Sequence, residues 1–291
     1  MDAALETMLA RYKPGTSEEY LRALREILQH LSLLGLWRAE FFEHASFYGG
    51  TALRMFYGVP RYSEDLDFSL MTTDVTFVLE PYIRSIVYEL EAAGFDVSAD
   101  LKGVRQKSPI ESAFVKTDTL KGMMHIEAPK AIVDRIHREA RLKIKIEIDT
   151  DPPDAASSEV LNMLVPIPFQ VRLYTQPSLF AGKIHALLCR SWKSRVKGRD
   201  FYDFLWFAGM NIPCNTRHLK ARMIQSGHCT PAETLDRKRL VGLLKERFAS
   251  VDFKMAARDV APFITDRRSL DLWSEDLFSD TAGKLQVADE E

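Results

Sequence analysis

Between Leu142 and Asp149 the chain alternates without a break. Leu142, Ile144, Ile146 and Ile148 fall on one side, and Lys143, Lys145, Glu147 and Asp149 on the other. A period of two is that of a strand with one buried and one polar face. An isolated strand of this kind has nowhere to bury its isoleucines, so the chain must supply a sheet. Shorter candidates exist at Leu66–Phe68, where apolar residues alternate with Asp65, Asp67 and Ser69, and at 95–98, 112–116 and 171–174. Helical spacing appears as well. Tyr20, Leu24, Ile27, Leu28, Leu31 and Leu34 recur at intervals of three and four behind a candidate cap, Ser17. A short helix over 52–57 is broken by Gly58, Pro60 and Ser63, and another over 77–93 stops at Gly94. After residue 176 the strand signal fades, and helices are expected at 177–192, 199–208, 215–225, 233–249 and 253–260. The pattern predicts an α/β protein in two parts, 1–176 with a sheet and 177–291 mainly helical, whose last residues, from Gln286, fray.

Composition narrows the function classes. Lys and Arg number 39 against 41 Asp and Glu, which excludes a uniformly basic nucleic-acid coat protein but not a local basic face. The longest apolar run, Phe204–Met210, is far short of the ~20 residues of a membrane helix. The first twelve residues carry Asp2 and Glu6 and no long apolar core, so no secretory signal is expected there. Cys189, Cys214 and Cys229 are odd in number and far apart, which fits a reducing cytoplasm; Cys189 is expected as a small core residue, and His228-Cys229 is only a weak metal pair.

Four constellations could carry chemistry. Gly49-Gly50-Thr51 is followed, fourteen residues on, by Asp65-Leu66-Asp67. Two carboxylates two apart on a strand share a face and repel unless a cation stands between them. Mg²⁺ is held by such pairs together with phosphate oxygens, and a glycine turn lets backbone N–H groups approach a phosphate. A solvated strand face would carry the same acids, but the lead-in Arg61-x-Ser63 and the glycine turn favour a site. Glu147 or Asp149 could supply a third carboxylate, or simply form the polar face of an edge strand. Lys183 is a cation among apolar helix neighbours, either a snorkelling surface lysine or a phosphate contact; His185, two residues on, faces elsewhere and is expected to be structural. Lys193, Arg195, Lys197 and Arg199 run into Asp200 and Asp203, three apart on one helix face and in its first turn. Nine Lys and Arg stand against two Asp between 183 and 222, a charge excess suited to a phosphate backbone.

Taken in order, Gly49-Gly50-Thr51-Ala52-Leu53-Arg54, Arg61-Tyr62-Ser63-Glu64-Asp65-Leu66-Asp67-Phe68, Lys145-Ile146-Glu147-Ile148, Lys183-Ile184-His185-Ala186 and Arg199-Asp200-Phe201-Tyr202-Asp203-Phe204 resemble the AbiEii/AbiGii nucleotidyltransferase toxins of abortive-infection and toxin–antitoxin systems. The resemblance implies a polymerase-β-like nucleotidyltransferase core with a mixed sheet and a helical C-terminal region. It implies Asp65, Asp67, Lys183 and Asp200 as catalytic residues, with Gly49, Gly50, Thr51, Arg61, Ser63 and Lys183 at the nucleotide. It also implies Mg²⁺ or Mn²⁺ on Asp65 and Asp67, with Glu147 as third ligand, and an NTP substrate. The acceptor would be RNA, in particular a tRNA 3′ end, met by Lys193, Arg195, Lys197 and Arg199, and a cognate antitoxin would be encoded nearby. Glu147 stands where an aspartate is common, and Leu179 where an acid often precedes the lysine by four residues. The same core could instead modify a protein or a small molecule, or bind nucleotide without chemistry.

Overall fold

The computed structural model of the chain describes residues 3–101, 109–191 and 196–288. The chain forms two compact units that alternate along the sequence rather than meeting at one cut near residue 176. One comprises Met1–Ala52, Glu64–Pro152 and Val160–Leu173, the other Leu53–Ser63, Pro153–Glu159 and Tyr174–Glu291.

In chain order, helices α1 (Ala3–Tyr12) and α2 (Ser17–Arg38) precede strand β1 (Ala45–Tyr48), which runs into α3 (Gly49–Phe56). Then follow β2 (Leu66–Leu70), α4 (Glu80–Ala92), β3 (Val97–Leu101), β4 (Ile110–Asp118), α5 (Thr119–His125), α6 (Lys130–Val133), β5 (Arg141–Asp149), β6 (Ser158–Met163) and β7 (Phe169–Tyr174). The sheet order is β3-β4-β5-β2-β1-β7-β6. It is mixed: β1 is antiparallel to β2 and β4 to both neighbours, whereas β2–β5 and β1–β7 are parallel. The alternating strand 142–149 is therefore not an edge strand but is paired on both sides, and its isoleucines are buried. Helix α2 packs against α4 so closely that a Cβ on Gly35 would stand 2.9 Å from the Ser85 carbonyl, and Ser85 Oγ donates to the Gly35 carbonyl at 2.8 Å.

Several boundaries shift from the sequence reading for local reasons. Thr16, not Ser17, caps α2: its hydroxyl accepts from Glu19 N, and Glu19 Oε2 accepts from Thr16 N at 3.0 Å, a reciprocal capping box. Helix α4 starts at Glu80, with Pro81 in its first turn, where no N–H is needed. Strand β6 and helices α5 and α6 carry weak periodic signals and were not expected from sequence.

The second unit is built from α7 (Gln176–Cys189), α8 (Gly198–Gly209), α9 (Thr216–Gln225), α10 (Arg237–Phe248), α11 (Phe253–Val260) and α12 (Glu275–Gly283). Helix α7 ends three residues before the expected Trp192, because Arg190 turns extended at ψ 133. Glu233 belongs to a turn that binds Thr230 N, and α10 starts only after its cap, Asp236. Phe201 and Phe204 of α8 meet Phe248, Phe253 and Phe278 in one aromatic cluster, with Phe253–Phe278 centroids 4.7 Å apart. Such rings bury large apolar area and add edge-to-face attraction. Of the end expected to fray, Gln286 and Ala288 are held: Cys214 N donates to Gln286 O, and Ala288 N donates to Cys214 O, both at 2.9 Å, while 289–291 lie outside the described residues. Among the described residues, no helix is long and apolar enough to cross a membrane.

Gly198 opens α8 where it crosses α11. A Cβ there would collide with the Ala256 carbonyl oxygen and stand 3.0 Å from Val260 N, and neither backbone atom can rotate away. Gly198→Ala should cost about 1–3 kcal/mol, the range for overpacking a tight contact. Urea unfolding checks this, and an unchanged midpoint would contradict the α8–α11 packing.

Candidate functional site

Two groups of the sequence-selected residues are assembled, one in each unit. In the first, β1 ends at Tyr48 and the chain turns at Gly49 with φ +81, a left-handed conformation that favours glycine. Asp67 lies opposite Tyr48 on β2 and opposite Glu147 on β5. A Cβ on Gly49 would overlap Asp67 Oδ2, so the glycine turn and this carboxylate are in direct van der Waals contact. Thr51 is buried, and its hydroxyl donates to the carbonyl of Asp65. The turn that follows β1 is thus tied to both acid positions. Asp65, Asp67 and Glu147 are all partly exposed, while Leu66, Phe68, Ile146 and Ile148 between them are buried, which confirms the alternation.

Glu147 does not stand free as a third ligand. Its Oε1 lies 2.6 Å from Lys145 Nζ on its own strand. Among the described residues, no group of three or more His, Cys, Asp or Glu side chains is arranged to hold a metal ion. The three-carboxylate set Asp65, Asp67 and Glu147 is therefore not preassembled, and neither is a site around His228-Cys229, where Cys229 Sγ donates to Thr230 O at 3.4 Å. Asp65 and Asp67 are a pair of hard oxygen donors by their chemistry. That set fits an ion of the Mg²⁺ type, which keeps water and substrate oxygens in most of its coordination positions.

The second group is ionic and largely buried. Asp203 on α8 is fully buried, and Arg61 is 2% exposed. Arg61 Nε and Nη2 grip Asp203 Oδ1 and Oδ2 at 2.5 and 2.6 Å, a bidentate pair, and Arg61 Nη1 donates to the Tyr62 carbonyl at 3.0 Å. Lys183 on α7 reaches Asp203 Oδ2 at 2.8 Å and Asp200 Oδ1 at 3.3 Å. Asp200 Oδ2 in turn holds Arg190 Nη1 at 2.6 Å. Burial pushes the Asp203 carboxyl up, but the Arg61 and Lys183 charges outweigh it and hold the group below the usual carboxylate range. For Arg61 burial acts downward, and Asp203 reverses it, so the guanidinium is held above its ordinary value.

This geometry redistributes the sequence assignments. Lys183 is not a snorkelling surface lysine: its side chain is 14% exposed and faces two aspartates. Arg61 and Thr51 have their polar groups engaged within the fold, and Ser63 is buried. His185 is half-buried; burial drives its pKa down to about 4, and Nε2 lies 2.9 Å from Ser226 Oγ, a structural role as expected. Cys189 is not a core residue but half-buried, with its thiol pushed up to about 11 by burial. Lys197 is exposed before α8, and the Arg199 guanidinium sits 4.2 Å over the Phe263 ring. Lys193 and Arg195 lie outside the described residues. Asp203 was grouped with Asp200 from sequence by their three-residue helical spacing but given no role, and Arg190 entered only in the count of basic residues between 183 and 222.

The family model described as nucleotidyl transferase AbiEii toxin, type IV TA system, matches residues 31–277. Among solved structures the chain is similar to MenT4, a nucleotidyltransferase toxin from Mycobacterium tuberculosis H37Rv, at a TM-score of 0.52 and 16% identity, covering 98% of this chain and 90% of that one. JHP933 from Helicobacter pylori aligns over 93% of this chain and 90% of its own length, at 18% identity and a TM-score of 0.46. No curated protein sequence matches. The likeness to MenT4 is one of fold, and it agrees with the mixed-sheet α/β architecture. The family match spans the glycine turn, the acid pair and the Lys183–Asp200–Asp203 cluster alike, and the chain belongs to the AbiEii nucleotidyltransferase toxin family of type IV toxin–antitoxin systems.

Proposed function

We propose that the chain transfers a nucleoside monophosphate from an NTP to an acceptor hydroxyl, with the 3′ end of an RNA of the tRNA class as acceptor. The observation that supports this reading is the contact of Gly49 with the Asp67 carboxylate and of the Thr51 hydroxyl with the Asp65 carbonyl, at the end of β1 and the start of β2. Asp65 and Asp67 would hold Mg²⁺ or Mn²⁺, and the ion when bound would offset charge developing on the reacting phosphate and its leaving group. Gly49 leaves room beside Asp67, and the backbone N–H groups of Gly49 and Gly50, at the start of α3, would suit the kind of anion a helix N-terminus favours. Thr51 acts by holding the backbone of Asp65 in place. Lys183 offers its ammonium to phosphate oxygens, while Arg61 holds Asp203, which orients Lys183. Ser63 remains a nucleotide-side candidate through its place in the family motif. Membership in the family supports an antitoxin as partner, and the cytoplasm is the compartment that the three unpaired cysteines favour.

Incubating the protein with labelled NTP and bulk RNA tests the chemistry. Asp65→Asn should reduce label transfer by at least about a hundredfold, the scale of removing one group that stabilises transition-state charge, while leaving the melting temperature within a few degrees. Full transfer by that variant would sink the metal assignment. Label appearing in protein or in a small molecule instead of RNA would redirect the acceptor.

Gly49→Ala should act on the same group without touching a charge. The new methyl meets Asp67, and the left-handed φ adds strain of about 1 kcal/mol or more. Transfer should fall at least about tenfold, because a small displacement of a reacting group is costly. Wild-type rates would show that Asp67 does not need its present position.

The acceptor surface is tested by changing Lys193, Arg195 and Lys197 to Gln and titrating RNA binding with salt. Each lost phosphate contact should flatten the log–log slope by about 0.7 for single-stranded RNA. Equal slopes for variant and wild type would remove this segment from the RNA surface.

A further inference from the structure

Arg190 enters the sequence reading only as one of the nine Lys and Arg between 183 and 222, yet the second unit ties it to the same aspartate as Lys183. It is the residue that ends α7, seven after Lys183, so its Cα lies about 10 Å beyond that of Lys183 along the helix axis. Asp200 ties them together: Oδ1 takes Lys183 at 3.3 Å and Oδ2 takes Arg190 at 2.6 Å. The backbone of Arg190 is fixed as well. Arg247 of α10 donates Nη2 to the Arg190 carbonyl at 2.5 Å and Nε to the Leu187 carbonyl at 2.9 Å, closing the last turn of α7 with a cation. Despite this anchoring the Arg190 side chain is 46% exposed, and its Nε and Nη2 meet no partner among the described residues.

A guanidinium held by one nitrogen and open at the others is preorganised to receive an oxyanion in a fork geometry. Charge points the same way. Arg61, Lys183 and Arg190 face Asp200 and Asp203, so one positive charge is left over. Arg61 and Asp203 are buried against each other, which leaves the excess on the accessible side of the cluster, at Lys183 and Arg190. Two cations on one carboxylate, one inside and one open to solvent, suit a ligand with successive negative groups along a short chain.

We infer that Lys183 and Arg190, carried together on Asp200, form a polyphosphate subsite that grips two different phosphates of a nucleoside triphosphate. The inference rests on the reading of Lys183 as a nucleotide contact and adds what that subsite selects: the number of phosphates rather than the base. Inorganic tripolyphosphate should bind it without a nucleoside, and a nucleoside monophosphate should not need it.

The test is calorimetric titration of the full chain with NTP, NMP and inorganic tripolyphosphate, each in Mg²⁺, for wild type, Arg190→Gln, Arg190→Lys and Lys183→Ala. Arg190→Gln should weaken NTP and tripolyphosphate binding by about tenfold or more, the scale of one charge-assisted hydrogen-bonded pair. Its NMP affinity should stay within about twofold, and Arg190→Lys should recover part of the loss because the charge remains. A purely structural ion pair would instead lower the melting temperature and leave all three affinities alike, which would overturn the inference. If Lys183→Ala weakens NTP binding and Arg190→Gln does not, Lys183 acts alone and the two-cation subsite is wrong. If neither variant changes NTP binding, the nucleotide role of Lys183 falls with it.

Discussion

A fully buried carboxylate organises the helical unit. Asp203 has left water completely, and an isolated charge in such a place is too costly to keep. It survives ionised because Arg61 meets both its oxygens and Lys183 meets one of them. Removing either partner would leave uncompensated buried charge, which costs far more than a surface ion pair contributes. The pair therefore fixes three segments against one another within the unit: 53–63 through Arg61, α7 through Lys183 and α8 through Asp203. Helix α8 can serve this purpose because its other face is anchored independently. Phe201 and Phe204 are locked among Phe248, Phe253 and Phe278, so Asp200 and Asp203 have a defined direction before any cation arrives.

The sheet unit works by register instead of charge. On β2 Asp67 is partly exposed between buried Leu66 and Phe68, and pairing of β2 with β1 and β5 sets it opposite Tyr48 and Glu147, with Asp65 just before the strand. A slip of one residue would turn Leu66 and Phe68 outward and bury the acids. The buried isoleucines of β5 and the two apolar residues of β2 make that slip expensive, since each fully buried side chain contributes about 1.5–3 kcal/mol. Packing that has no chemistry of its own thus holds the carboxylates at the end of the glycine turn.

The strands and the long helices were readable because their signals are periodic and local. The 142–149 alternation, the 20–34 stripe and the 253–260 helix all appear in the structure where the sequence placed them, to within a few residues. The Gly49–Thr51 and Asp65–Asp67 blocks stood out for a related reason: a glycine pair and two acids two residues apart are short patterns built from few residue types. Elements with weak internal period, such as β6 and α5, escaped because partners far away in sequence specify them.

Ionic pairing and chain order within the units were decided by tertiary structure alone. From sequence, Arg61 and Lys183 are two cations in phosphate-binding motifs, and Glu147 is an acid on an exposed face. Folding commits Arg61 to Asp203, divides Lys183 between two aspartates and gives Glu147 to Lys145. Only the last of these pairs, two residues apart on one strand face, has a local spacing; Arg61 and Asp203 are 142 residues apart, and their attraction matters only once water has been excluded from both. The sequence by itself determined the strongly periodic strands and helices and which residue types could carry the chemistry. Only the folded chain decided which charges are consumed in holding it together and which, like the outer edge of Arg190, remain open.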